Sequence, residues 1–249
     1  MKYETTSLVL DFGNTNRKFA LFENGRMIYL ENHPDVNLSL VRQFVADHPG
    51  IRRCILSSVI RHPVSIENFL RKKFFFIDLN TRIPVPVKIR YLTPETLGND
   101  RIACAVAAHL LYPRSPVLVV NAGTCITYDY VTAKGEYLGG AISPGLQMRF
   151  AALHTFTGQL PLVTLSKSPV PLTGRDSVSS IRSGVVNGIV SEIEGAVLRY
   201  REENPRMKVI LSGGDMDYFA GKLNFRNFAI PEIVIRGLYQ ILVFNAKGS

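Results

Sequence analysis

The chain opens on an apolar run, Ser7–Phe12, whose aliphatic and aromatic side chains fit a buried strand. A polar turn, Gly13-Asn14-Thr15, follows, and Arg17–Phe22 alternates as a second strand would. Glu23-Asn24-Gly25 is a hairpin signal, because Asn-Gly readily takes positive φ, and Met27–Leu30 continues as a third strand. The pattern then predicts a helix over Val36–Ala46, a strand over Cys54–Val59 and a helix over Ser65–Lys73. Ile83–Val87, with two prolines, is extended and irregular. Gly98-Asn99 leads into a helix, Asp100–Leu111, that stops before Pro113.

The opening pattern then returns. Val117–Val120 reads as a buried strand, Asn121-Ala122-Gly123-Thr124 as a turn, and Ile126–Val131 as the next strand. Ala133-Lys134-Gly135-Glu136 is a turn, and Tyr137-Leu138 begins a return strand. Repetition of a supersecondary unit implies two similar lobes, 1–115 and 116–249, presenting two Gly/Thr turns to one cleft. A long helix from about Ser177 to Arg201, a strand at Val209–Leu211, a Ser212-Gly213-Gly214-Asp215 turn and a helix near Ile233–Phe244 complete the pattern.

With 249 residues and 46% hydrophobic content, such a chain can bury a core without disulfide or metal staples. Its three cysteines, Cys54, Cys104 and Cys125, are far apart and form no CxxC pair. That argues against a disulfide framework or zinc site, and implies a reduced, cytoplasmic setting with the thiols as small buried hydrophobes. Asp11 interrupts the early apolar run, so no secretion signal is expected, and no segment suits a membrane span. The net charge of +9 favours anionic ligands, yet the basic residues are scattered, the densest group being Arg71-Lys72-Lys73. Nucleic acid is therefore not the expected partner.

Three segments bear chemistry. In Asp11-Phe12-Gly13-Asn14-Thr15, followed by Lys18, glycine permits close backbone approach to a ligand. Backbone N–H groups with the Asn14 and Thr15 side chains suit phosphate oxygens, Lys18 adds positive charge, and Asp11 suits a hydrated Mg²⁺. The alternative is a structural hairpin with a buried aspartate. Asn121–Thr127 is the repeat partner of that turn, and two such turns would clamp a triphosphate from opposite sides. Gly98-Asn99-Asp100-Arg101 has two readings: Asn99 as an N-cap with Asp100 favoured by the helix dipole, or Asp100 as acceptor of a substrate hydroxyl proton beside an anion-binding Arg101. GxxxxGK[ST], HExxH and GxSxG are missing, and Asp11-Phe12-Gly13 has no HRD with which to form the protein-kinase set, which excludes P-loop proteins and protein kinases.

The ordered set resembles the type III pantothenate kinases of the acetate and sugar kinase, Hsp70 and actin superfamily. Beyond the three segments it includes Gly139-Gly140-Ala141-Ile142-Ser143-Pro144-Gly145, Gly174-Arg175-Asp176-Ser177 and Ser212-Gly213-Gly214-Asp215. The resemblance implies an α/β fold with two ribonuclease H-like lobes of the actin-like ATPase superfamily, mixed sheets flanked by helices. It implies ATP-dependent phosphorylation of pantothenate to 4′-phosphopantothenate, the first step of coenzyme A synthesis. Asp11, Phe12, Gly13, Asn14, Thr15, Asn16, Arg17, Lys18 and Thr124 would hold ATP. Tyr91, Gly98, Asn99, Asp100 and Arg101 would bind pantothenate, with Asp100 as general base and Ser177 completing the site of the partner in a homodimer. Mg²⁺ and a monovalent cation, K⁺ or NH₄⁺, are the implied ions. Asn121 stands where the family has an aspartate cation ligand, and Ser177 where it has threonine. The amide keeps an oxygen donor but loses the charge. The alternatives are a non-catalytic relative that regulates transcription and a kinase for another small alcohol.

Overall fold

The computed structural model describes residues 6–166 and 168–246. In the first unit, the apolar residues of β1 (Thr6–Phe12) lie at the centre of a mixed sheet. β2 (Arg17–Glu23) and β3 (Arg26–His33) follow as an antiparallel meander. The turn between them is the expected one, with Asn24 and Gly25 at φ 49° and 83°. α1 (Leu38–Asp47), capped by the Asn37 side chain, leads to β4 (Ile51–Ser58). α2 (Val64–Lys73) then leads to β5 (Phe75–Asp78). Both of these strands run parallel to β1, and the sheet order is β3-β2-β1-β4-β5. A two-residue strand, β6 (Lys88–Ile89), and a 3₁₀ turn at Pro94–Thr96 precede α3 (Asn99–Leu111).

The second unit contains β7 (Val117–Ala122), β8 (Cys125–Val131), β9 (Glu136–Pro144), α4 (Leu146–Thr155) and α5 (Ser177–Glu203). β10 (Lys208–Ser212), α6 (Met216–Ala220) and β11 (Phe228–Ala229) follow. Here β9-β8-β7 are antiparallel neighbours, and β10 and β11 add on parallel to β7. Strand for strand this is the order of the first sheet, so the repeat legible in three strands extends to five.

Register alternation gives each sheet two faces. In the first unit Leu8, Leu10, Phe12, Phe19 and Leu21 pack with Val41, Phe44, Ile66 and Leu70 of α1 and α2. The opposite face carries Phe22, whose ring stacks on Tyr239 at 4.2 Å. Tyr239 belongs to α7 (Ile233–Ala246), which packs on β1 and β4. A Cβ at Gly237 would clash with the Ala103 backbone, so glycine lets α7 and α3 cross closely. The units are therefore 1–110 with 233–249, and 111–232. A division into 1–115 and 116–249 puts the last helix in the second lobe; its apolar side chains belong to the first sheet, which corrects that boundary.

The second core gathers Val120, Ala122, Tyr128 and Leu211 of the sheet around Ile181, Val185, Ile189 and Ile193 of α5. Their helical spacing is what made α5 legible. Cys54 and Cys104 are buried, Cys125 is half-buried, and all three are free thiols.

Candidate functional site

In the first unit the candidate residues sit where the parallel strands end. In an open α/β sheet, ligand sites form outside the carboxyl ends of the strands. Asp11 pairs in register with Lys18 on β2 and with Ser57 on β4, so all three share one face at that edge. Ser57 Oγ is buried there with no hydrogen-bond partner. The turn itself is closed by Gly13 N–H donating to Asn16 O at 3.0 Å, which leaves Asn14, Thr15 and Asn16 exposed. Arg17 donates from Nη1 to Asn14 O at 3.4 Å, while its Nε is buried without a partner. Unpartnered buried donors at a turn are unusual and suit an anionic ligand.

Asp100 lies in the first turn of α3 at the same edge. The Asn99 side chain donates to Leu79 O at 2.8 Å, just beyond β5. Asn99 is the first residue of the helix, so its amide anchors α3 to the sheet and does not cap it, against the capping alternative. Asp100 Oδ1 accepts from Arg101 N–H at 2.9 Å. A Cβ on Gly98 would come within 2.5 Å of that oxygen, so the glycine makes room for the carboxylate. Arg101 is only 5% exposed, with its guanidinium 5.8 Å from the Tyr91 ring centroid. Tyr91, Gly98, Asn99, Asp100 and Arg101 thus form one local cluster.

The second unit repeats this layout. Asn121 pairs in register with Thr127 on β8 and Ser212 on β10, as Asp11 pairs with Lys18 and Ser57. The duplicated position holds a carboxylate in one unit and an amide in the other. Thr127 donates to Asp129 Oδ2 at 3.0 Å, and Tyr137 donates to Oδ1 at 2.8 Å. Asp129 is fully buried and was not read from the sequence. Its only signal was an acidic residue within an apolar strand. Three turns meet beside Asn121. Gly145 N–H donates to Thr124 O at 3.1 Å, and Asp215 N–H donates to Ala122 O at 3.0 Å. Thr124 is exposed, and burial pushes the Asp215 carboxyl up. Ser177 is the exposed first residue of α5, just after the Asp176 cap; hydrogen bonds from Ser179 hold the Asp176 carboxyl down.

A second group missed in the sequence braces the Gly139–Gly145 motif. Glu192 on α5 accepts from Tyr128 at 2.8 Å and Ser143 at 3.1 Å, and it pairs with Arg149. Arg149 also donates to Pro144 O at 2.9 Å. Burial raises the Glu192 carboxyl, but the hydrogen bonds from Arg149, Tyr128 and Ser143 and the Arg149 charge outweigh it, leaving a net lowering. A depressed carboxylate contributes stability that is complete above its unfolded value, about 4.3, and is lost as pH falls through the folded value. Glu192→Gln should therefore flatten the acid limb of stability below about pH 4.3. Urea midpoints measured against pH check this; an unchanged slope would remove Glu192 as its source.

Among the described residues no three His, Cys, Asp or Glu side chains gather into a metal cage, and no helix is long and apolar enough to cross a membrane.

The model of the type III pantothenate kinase family matches residues 7–199. The chain belongs to the type III pantothenate kinase family. A type III pantothenate kinase of Christiangramia forsetii is 43% identical over 244 residues, covering 96% of this chain and 98% of that one. That of Phocaeicola vulgatus is 40% identical over 242 residues, covering 97% and 99%. Among solved structures, a glucokinase from an Antarctic psychrotroph has a TM-score of 0.57 at 15% identity, covering 96% of this chain and 99% of that one. A Campylobacter jejuni protein described as a conserved Baf family transcriptional activator has a TM-score of 0.60 at 20% identity, with the same coverage. At these identities the likeness is one of fold. Each unit of this pantothenate kinase family member is a mixed sheet flanked by helices, the α/β fold of the actin-like ATPases.

Proposed function

We propose that the chain transfers the γ-phosphoryl group of ATP to the 4′-hydroxyl of pantothenate, the first step of coenzyme A biosynthesis. The observation that carries this is the family match, with full-length relatives of the same activity by name. The bond between the 4′-oxygen and the γ-phosphorus forms as the β–γ bridging bond breaks, and the hydroxyl proton passes to Asp100. Its Oδ1 is held by the Arg101 amide, so Oδ2 is the oxygen assigned to the hydroxyl. The buried Arg101 guanidinium and the Tyr91 ring suit the carboxylate end of pantothenate. Asp11, Phe12, Gly13, Asn14, Thr15, Asn16, Arg17 and Lys18, with Thr124, bind the ATP phosphates.

A magnesium ion held mainly by phosphates and water needs one or two protein carboxylates, and Asp11 beside the unpartnered Ser57 hydroxyl fits that need. Bound there, Mg²⁺ would neutralise charge on the transferring phosphate. Asn121, beside Thr127 and Ser212, offers neutral oxygens to K⁺ or NH₄⁺. We assign the protein to the cytoplasm and to a homodimer in which Ser177 completes the site of the partner. Phe156 and Leu172, 85% and 84% exposed, lie on the same stretch of chain as Ser177 and supply apolar surface for that dimer.

Purified protein with Mg-ATP, K⁺ and pantothenate is expected to form phosphopantothenate in a coupled assay, and repeating the assay in Na⁺ reads the cation requirement. No turnover of pantothenate would overturn the assignment.

A further inference from the structure

A cavity of about 420 Å³ lies in the second unit between the end of α5, the start of β10 and β11. That volume is within the range of small-molecule pockets, about 300–1,000 Å³. Its walls carry Arg201, Arg206, Lys208 and Arg226, and no acidic residue. Among the described residues none of the four forms an ion pair with a carboxylate. Clustered like charges repel, so four unneutralised cations around one cavity cost stability unless an anion occupies it.

The aromatic residues hold these cations in place. The Arg226 guanidinium and the Lys208 ammonium lie 5.3 and 5.8 Å from the Phe228 ring centroid. Phe228 in turn packs on Tyr112 at 5.1 Å. Arg201 lies 5.3 Å from the Phe225 ring centroid. A guanidinium resting on a ring by its face keeps its N–H edge for an anion, the geometry suited to phosphate. Arg201, in the last turn of α5, is explained in part by the helix dipole. The dipole does not account for Arg206, Lys208 or Arg226.

The cavity is separate from the phosphate turns. Lys208 begins β10 and Ser212 ends it, so the cavity and the Ser212–Asp215 turn lie at opposite ends of a strand about 13 Å long. We propose that this cavity is a second anion site, which binds a small molecule carrying two or more phosphates. The half-enclosed shape and the small number of cations favour a compact ligand over a polymer. A nucleic acid would require a basic stripe longer than this pocket.

The test uses inorganic tripolyphosphate as the probe, titrated calorimetrically into the full chain with a non-hydrolysable ATP analogue present in saturating amount. Binding is expected to persist under those conditions and to weaken with added salt. In the exposed pair Arg206→Gln/Arg226→Gln, Kd should rise by about tenfold or more, because charge-assisted hydrogen bonds to phosphate are lost. The pantothenate phosphorylation rate of this variant should match wild type, and its melting temperature without the probe should be no lower, since two of the repelling charges are gone. Arg206→Gln/Lys208→Gln is a second variant that should show the same loss. An unchanged Kd in both variants, or no binding once the ATP analogue is present, would overturn the proposal. Tighter binding of a single-stranded oligonucleotide than of tripolyphosphate would overturn it too. The phosphorylation assay separately tests the turns, so failure of one assignment does not imply failure of the other.

Discussion

Asp100→Asn is expected to lower kcat for pantothenate phosphorylation by about 10²–10⁴-fold, the usual contribution of a positioned acid or base. The substitution is close to isosteric. The amide oxygen still accepts from Arg101 N–H, and Gly98 still leaves room for the side chain. The start of α3, anchored through Asn99 to Leu79 O, has no reason to move. What disappears is the ability to take a proton. The size of the loss is itself informative. Phosphoryl transfer passes through a loose transition state in which the hydroxyl proton leaves late. If orientation of the hydroxyl dominates, asparagine retains part of the effect and the loss falls at the lower end. If proton acceptance dominates, it falls at the upper end. KM for pantothenate should change little, since Arg101 and Tyr91 are untouched. An Asp100→Asn enzyme with wild-type kcat and an intact melting curve would remove Asp100 from the chemistry.

The elements that were legible in the sequence are those whose pattern is local. Strands β1 and β7 are continuous apolar runs, β8 alternates apolar with polar residues, and α5 carries its apolar stripe over 27 residues. The repeat showed through the two Gly/Thr turns because a turn needs particular residues at particular places. Short elements were not legible: β11 has two residues and β5 four, too few for a period to emerge. α4 was missed because the glycine-rich approach at Gly139–Gly145 masks the helix start, and Gly145 gives no side-chain cap. The return of α7 to the first sheet is a tertiary choice that no local pattern encodes.

The same division holds at the site. Asp11, Asp100 and Asn121 stand in recognisable turns and helix starts. Glu192 and Arg149 are 43 residues apart in the chain and meet only because α4 packs on α5. Asp129 is satisfied by Thr127 and by Tyr137 on the adjacent strand, a pairing that only the β8–β9 register creates. The register also shows what the motifs alone could not, that Asn121 occupies the position of Asp11 in the second unit. The equivalent position is neutral there, while a buried carboxylate, Asp129, lies two residues beyond Thr127.

Gly213→Ala should be strongly destabilising, while Gly214→Ala, one residue along, should be nearly silent. Gly213 sits at φ 96°, where an L side chain is strained, and its Cβ would approach the Ala122 carbonyl carbon to 2.6 Å. The obstacle is main chain, so no rotamer change relieves it. Left-handed strain of about 1–2 kcal/mol adds to an overpacking cost of about 1–3 kcal/mol. A loss of about 2–5 kcal/mol in unfolding free energy is the expected result. A Cβ on Gly214 meets nothing within 4 Å, so its change should stay within about 0.5 kcal/mol. Urea unfolding of the two variants checks the pair, and equal losses would defeat the steric account. The functional consequence follows from the same contact. Asp215 N–H ties the Gly213–Asp215 turn to Ala122 O, next to the Gly123–Thr124 turn assigned to ATP. Pushing the two turns apart should raise KM for ATP well beyond any change in KM for pantothenate. A rise in the pantothenate KM alone would place the Ala122–Thr124 turn outside the nucleotide site.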